Sequence, residues 1–244
     1  MQINTFPITL KESFMISPKV KHFIFSCEAT PHFNYLPGQF ITIHFEHQGK
    51  PLKRSYSIAN TPKMDNQIEL AAGYFANGPG TEFLYNLKPG DAVQISGPFG
   101  RLTIKDEIPG RFILVATSTG ITPYRSMIPK LAQLMEQHPE LEVVILQGVQ
   151  RREEILYGDE FLAFSQKYPR ASFKPYLSRQ PANELNEKEF SGYVQHAFPS
   201  LNLNPQRDVV YLCGNPGMID EAFNSLKQQG FAMQQIIREK YISR

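Results

Sequence analysis

The stretch KRSYSIAN, Lys53 to Asn60, places a fixed cation, an aromatic ring and a hydroxyl close together at Arg54, Tyr56 and Ser57. A buried strand would carry Val and Ile at such positions. An arginine can hold a pyrophosphate through two parallel hydrogen bonds. A tyrosine can stack on another flat ring. The combination suits a large, flat, anionic molecule. Strand alternation puts Arg54 and Tyr56 on one face and Ser55 and Ser57 on the other, unless the strand bends. The plain alternative is an exposed strand with a surface cation.

Three glycine turns could add to this chemistry. In TSTGITPYRSM, Gly120 would let a ligand approach the backbone, and the amides opening the next helix would attract anions. The stretch lacks the full Gly-x-Gly-x-x-Gly fingerprint, and an ordinary strand-to-helix turn has the same composition. In LCGNPGM, Gly214 and Gly217 permit close backbone approach, and Cys213 would end a strand facing a crevice. A nucleophilic Cys wants a neighbouring His. No sequence feature supplies one, so a packing or positioning Cys is favoured. In NGPGTEFLYNL, the amides of Gly80, Thr81 and Glu82 could hold a phosphate, although a simple helix capped by Thr81 is the plainer reading.

Two kinds of element must place these residues. Up to about residue 104 the chain shows short alternating or apolar runs such as VKHFIFSC, GQFITIHF, QIELAAGYF and DAVQISGPF, punctuated by Pro and Gly. That pattern predicts an antiparallel barrel, with one short helix over Thr81–Leu87. The charged stretch Lys105–Gly110 is the expected domain boundary, dividing residues 1–105 from 106–244. Beyond it, RFILVAT, LEVVILQG, ASFKPYL and DVVYLCG are apolar runs separated by helical patterns. Such alternation predicts βαβ units and a doubly wound parallel sheet. Ligands of such sheets sit beyond the carboxyl ends of the strands, where the strand order reverses. That rule selects Ser118–Pro123 and Cys213–Met218.

The bulk numbers restrict the function. With 244 residues and 41% hydrophobic content, a packed core is expected and global disorder is not. A net charge of +2 argues against a nucleic-acid protein. No apolar run approaches the roughly 18 residues that span a bilayer. The N-terminus lacks the features of a signal peptide, so the expected compartment is the cytoplasm. Two cysteines, Cys27 and Cys213, cannot form a disulfide framework or supply the four thiolates of an iron–sulfur cluster. His44 and His47 fall on opposite strand faces, and no metal site is expected.

Order gives these short motifs their weight. Arg-x-Tyr-Ser, Gly-Pro-Gly-Thr, Gly-Pro-Phe-Gly, Ser-Thr-Gly-Ile-Thr-Pro and Cys-Gly-x-Pro-x-Met follow one another. In this order the sequence resembles the ferredoxin–NADP reductase superfamily, from YLPGQF to the terminal REKYISR. The resemblance implies a β-barrel holding FAD, followed by an NAD(P)-binding α/β domain. It implies that Arg54 contacts the flavin phosphate, Tyr56 stacks on the isoalloxazine and Ser57 hydrogen-bonds near N5. Gly80 and Thr81 would hold the pyrophosphate. Thr119, Gly120 and Pro123 would line the pyrophosphate and nicotinamide region, with Cys213 and Gly214 beside the nicotinamide. Ser55, Ala71, Gly73, Ser178 and Met218 complete the expected cofactor contacts. Ser57, Cys213 and Glu239 are the expected catalytic residues. Tyr241 matches a flavin-stacking aromatic, although Ile242, Ser243 and Arg244 follow it.

The resemblance also frames specificity and partner. Relatives that take NADP place arginines in the two loops that here hold Arg151, Arg152 and Arg179. Glu153 and Glu154 keep NAD open, and Tyr193 stands where NADP-dependent relatives often have Arg. Ser118 replaces a frequent Gly. The expected function is hydride transfer from NAD(P)H to FAD, then single electrons to a separate ferredoxin or flavodoxin, by a monomer. Two alternatives are an NAD(P)H:free-flavin reductase and a flavin-binding electron-transfer subunit of a larger complex.

Overall fold

The computed structural model describes residues 4–28, 33–62 and 66–241. The first half carries β1 (Phe6–Ser17), β2 (Val20–Ser26), β3 (Phe40–His47), β4 (Lys50–Ser57), β5 (Gln67–Gly73), α1 (Pro79–Asn86) and β6 (Ala92–Phe99). Its six strands form one sheet in the order β4-β3-β6-β1-β2-β5. Neighbouring strands pair antiparallel. The two edges approach each other where Ile58 bridges Leu70 and the Ala59 amide donates to Glu69 O at 2.7 Å. That contact curls the sheet into a barrel. Gln48 and Gly49 link β3 to β4 with φ of 51° and 71°. Two positive-φ residues are what a tight hairpin turn requires.

Alternation on β3 decides what points where. Ile41, Ile43 and Phe45 are buried in the barrel core with Phe23, Phe25, Leu70 and Ile95. Thr42 and His44 take the opposite face, where they meet the Ser55 and Ser96 hydroxyls at 3.0 Å and 2.7 Å. One sequence expectation needs correction here. The short helix starts at Pro79 behind Gly78 as N-cap, not at a capping Thr81, and no side chain caps it. Proline has its φ already set for the first helical turn, so the helix begins two residues earlier.

The second half carries β7 (Arg111–Thr117), α2 (Thr122–Gln137), β8 (Glu142–Val149), α3 (Gly158–Lys167), β9 (Ala171–Leu177), β10 (Phe190–Ser191), β11 (Asp208–Gly214), α4 (Pro216–Gln228) and β12 (Ile236–Lys240). Its six strands run parallel in the order β10-β9-β8-β7-β11-β12. Residues Phe112 to Ala116 are buried on both faces, as a central parallel strand demands. One face packs on α2 and α3 through Leu114, Tyr124, Met127, Leu131 and Phe161. The other packs on α4 through Val115, Ile219, Ala222 and Leu226.

Two features place the site. The strand order reverses between β7 and β11, so the turns after these strands flank one crevice. The two halves also share a core: Val20, Ala71 and Leu102 of the first half join the cluster around Met127 and Leu131. β10 and β12 escape a periodicity reading because they have two and five residues. Among the described residues, no helix is long and apolar enough to cross a membrane.

Candidate active site

The strand β4 keeps its alternation to the end. Its pairing with β3 is regular from Lys50 to Ser57. Arg54 and Tyr56 therefore share a face, and that face meets α1. A Cβ added at Gly80 would lie 2.7 Å from Arg54 Cγ and 3.1 Å from the Tyr56 hydroxyl oxygen. Only glycine lets the start of α1 come this close. Burial, opposed by the Arg54 charge, pushes the Tyr56 phenol up to about 12, so it stays protonated. Ser55 and Ser57 take the other face. Ser57 is buried, and its hydroxyl points across the molecule to the last strand.

The crevice at the reversal of strand order is built mainly from backbone. A Cβ at Gly120 would run into Cys213 O, and one at Gly214 into Thr117 Oγ1. Gly214 also has a φ of +120°, a region in which other residues are strained. Ser118 adopts a φ of +47°, a left-handed conformation for a residue with a Cβ. A glycine would hold this turn with less strain, by about 1 kcal/mol. Thr122 Oγ1, at the first turn of α2, is buried and without a hydrogen-bond partner among the described residues. Asn215 caps α4 by accepting from the Gly217 and Met218 amides at 2.8 Å and 3.2 Å. Those two donors are thus already used within the chain.

Three side chains converge from distant parts of the sequence. β12 pairs with β11 so that Cys213 lies opposite Glu239. Tyr241 follows, anchored by its amide to Gly214 O at 2.8 Å. The Tyr241 hydroxyl lies 2.6 Å from Ser57 Oγ, and Ser57 Oγ donates to Glu239 Oε1 at 3.3 Å. Glu239 also approaches the turn at Gly100, where an added Cβ would lie 3.2 Å from Glu239 Oε2. Burial lifts the Glu239 carboxyl to about 7, against the lowering effect of the Ser57 hydrogen bond. Burial, and then the nearby Glu239 charge, drive the Cys213 thiol well above its usual range. A thiol of that kind is not a nucleophile at neutral pH.

The arginine loops divide. Arg152 is committed to Glu189 through two hydrogen bonds, 2.7 Å and 2.6 Å, and donates to Glu184 O at 2.5 Å. Glu189 is held further by the Asn186 amide at 2.9 Å. Arg151 and Arg179 are exposed, and among the described residues neither side chain has an ion pair. The Arg179 amide donates to Gln150 O and the Ser178 amide to Val149 O, which ties their loop to the one carrying Arg151. Tyr193 is exposed and stacks edge-on against His196. Sequence reasoning missed the Glu189 partner, which lies 37 residues from Arg152. It also missed Thr117, whose hydroxyl accepts from the Asn215 amide at 2.8 Å, and the capping role of Asn215 within the selected Cys213–Met218 stretch. Asn215 alone had a local signal, an Asn before Pro at a helix start.

Comparison with known proteins fits this geometry. Residues 7–104 match the oxidoreductase FAD-binding domain, and residues 114–223 match the oxidoreductase NAD-binding domain. The ferredoxin–NADP reductase of Azotobacter vinelandii is 31% identical over 226 residues, spanning 86% of this chain and 84% of that protein. The chain belongs to the ferredoxin–NADP reductase superfamily. The reductase component of phenol 2-monooxygenase from a Pseudomonas species is 30% identical over 209 residues. The match covers 84% of this chain but 57% of that protein. The fold is shared with a ferredoxin–NADP reductase from Neisseria gonorrhoeae crystallised with FAD and NADP, at a TM-score of 0.83 and 21% identity, over 98% and 99% of the two chains.

The residues present fit the groups this superfamily binds. Arg54 and the Gly80 turn offer a cation beside a backbone turn, while Gly120 and Gly214 let the turns after β7 and β11 pack directly on each other, with no side chain between them. The chain is an FAD-dependent oxidoreductase that uses a nicotinamide dinucleotide.

Proposed function

We propose that this enzyme prefers NADPH, moves a hydride from it to FAD, and delivers single electrons to a separate ferredoxin or flavodoxin. The observation that carries this reading is the meeting of Ser57, from the barrel strand, with Glu239 and Tyr241, from the last strand of the nucleotide half. Bound FAD supplies a two-electron acceptor that releases electrons one at a time.

The chain's own residues bind, align and seal. Arg54 and the amides of Gly80 and Thr81 hold the flavin pyrophosphate. The Tyr56 ring receives the flavin, with Ser55 and Gly73 as further barrel contacts, whereas Ala71 is taken up by the core that the two halves share. Ser57, whose hydroxyl is here held by Tyr241 and Glu239, would offer it to the flavin. Thr119, Gly120 and Pro123 form one wall for the nicotinamide, and Cys213, Gly214 and Met218 form the other. Ser178, Arg179 and Arg151 receive the 2′-phosphate, because Arg152 is occupied by Glu189. Glu239, with its carboxyl lifted to about 7, keeps or releases a proton beside Ser57. Tyr241 covers Ser57 and has to shift or stack when a ring enters. Alignment of the two rings and exclusion of water account for most of the rate.

The division falls near residue 105, with residues 1–105 serving the flavin and 106–244 the nicotinamide. The enzyme acts as a monomer in the cytoplasm, a setting suited to the two buried thiols Cys27 and Cys213. Stopped-flow reduction with NADPH and NADH, followed by mixing with a ferredoxin and a flavodoxin, tests the reading. Fast bleaching by NADPH and reoxidation by either carrier is the expected result. A preparation that neither nicotinamide bleaches overturns it.

A further inference from the structure

Arg125 lies one turn beyond the nicotinamide loop, on α2. Its Nη1 donates to Glu69 Oε2 at 2.5 Å and to Ala59 O at 3.2 Å. Its Nε reaches both oxygens of Glu160 at 2.9 Å and 2.8 Å. Its guanidinium stacks on Tyr157, 4.8 Å from the ring centre. Glu69 and Ala59 belong to the barrel half, and Ala59 stands two residues after Ser57. Arg125 itself stands five residues after Gly120. A single side chain therefore ties the end of the flavin strand to the start of the helix that carries the nicotinamide loop.

The attachment is over-determined around this point. The Gly38 amide donates to Ser126 Oγ at 2.9 Å, and Thr61 Oγ1 donates to Ser126 O at 2.7 Å. His22, 2% exposed, brings Nε2 to 3.2 Å from Glu69 Oε2 and Nδ1 to 2.9 Å from the Tyr157 hydroxyl. Burial keeps the Tyr157 phenol protonated. Burial works against the Glu69 charge, but hydrogen bonds from His22 and Arg125 outweigh it and hold the carboxyl at about 2. The Glu69–Arg125 pair is mostly buried, with side chains 15% and 20% exposed.

We propose that Arg125, paired with Glu69, is a positioning residue for hydride transfer, fixing the distance between the Ser57 strand end and the Gly120 loop. The inference rests on the reductase reading above. An arginine is suited to this role because its planar fork meets a carboxylate, a carbonyl and an aromatic face at once. A misplacement of 1 Å between reacting groups costs about 10²-fold in rate. Arg125 and Glu69 are not among the residues assigned above to either cofactor, so binding of each cofactor should be spared.

The test uses the FAD-loaded full chain, with R125M, R125K and E69Q beside wild type. Flavin bleaching by NADPH is followed by stopped flow, FAD and NADP+ affinities by fluorescence, and amide exchange at Gly38 by mass spectrometry or NMR. R125M is expected to lower the limiting bleaching rate by about 10²-fold while the affinities change by less than about threefold. R125K, which keeps the charge on Glu69, should recover much of the rate, and E69Q should fall between. The Gly38 amide should exchange about tenfold faster in R125M. Wild-type rates in R125M and E69Q overturn the inference. So does a loss that follows weakened FAD or NADP+ binding. Wild type that neither nicotinamide bleaches overturns the reductase reading, and this inference with it.

Discussion

The Tyr241 hydroxyl stands 2.6 Å from Ser57 Oγ, across 184 residues of sequence. This contact joins the flavin strand of the barrel to the end of the nucleotide half. Replacing Tyr241 by Phe removes one partner from a buried serine. Y241F should lower stability by about 1 kcal/mol, the usual worth of such a bond, and shift the flavin absorbance near Ser57. Thermal melts and the visible spectrum of loaded protein check this. An unchanged melting point and spectrum would show that the contact carries no weight.

Glu239 should report on pH. Its carboxyl is raised from 4.5 to about 7, chiefly by burial. A raised acid binds its proton more tightly in the folded chain. Its contribution to stability is therefore complete below about pH 4.5 and lost as the pH rises through about 7. E239Q cannot ionise and should flatten that part of the stability curve. Melts of wild type and E239Q between pH 5 and 8 decide it: parallel curves would refute the assignment.

Arg54 faces Gly80 and the start of α1. If it holds the flavin pyrophosphate, R54A should weaken FAD binding by about 10- to 100-fold, as expected for one charged hydrogen-bonding group. Flavin retained after dialysis, measured by fluorescence, gives the answer. Wild-type retention contradicts the role.

Arg152 and Arg179 should separate into a structural and a selective residue. R179A should lower kcat/KM for NADPH relative to NADH by about 10-fold or more. R152A should change that ratio less and should lower the melting point instead, because it strips Glu189 of its charged partner. The Glu189 side chain is only 7% exposed. A large selectivity change in R152A, with stability intact, would reverse the assignment.

Much of the site was legible along the chain because its parts are local. KRSYS, the Gly78–Pro79–Gly80 turn, Gly120 before a helix and Cys213–Gly214 after a strand each depend on a few neighbouring residues. Strand alternation alone correctly separated Arg54 and Tyr56 from Ser57. The failures were also local in cause. Thr81 has the chemistry of a cap, but Pro79 starts the helix first. Arg152 looked like a free cation until the fold delivered Glu189.

The sequence by itself determined the two architectures, since a period of two and continuous apolar runs follow directly from the geometry of half-buried and fully buried strands. It also determined where side chains must be missing, because only glycine tolerates the φ of Gly214 or the approach at Gly80. Tertiary structure alone decided which groups meet. Ser57, Cys213, Glu239 and Tyr241 come together because β12 adds beside β11 in a register that no local pattern encodes. Arg125 and Glu69 pair because the two halves share one core. Their burial then sets their charges, placing Glu239 near 7 and Glu69 near 2 although both are glutamates in short strands. The difference lies in the partners: among the described residues, Glu69 is held by His22 and Arg125, and Glu239 by the Ser57 hydroxyl.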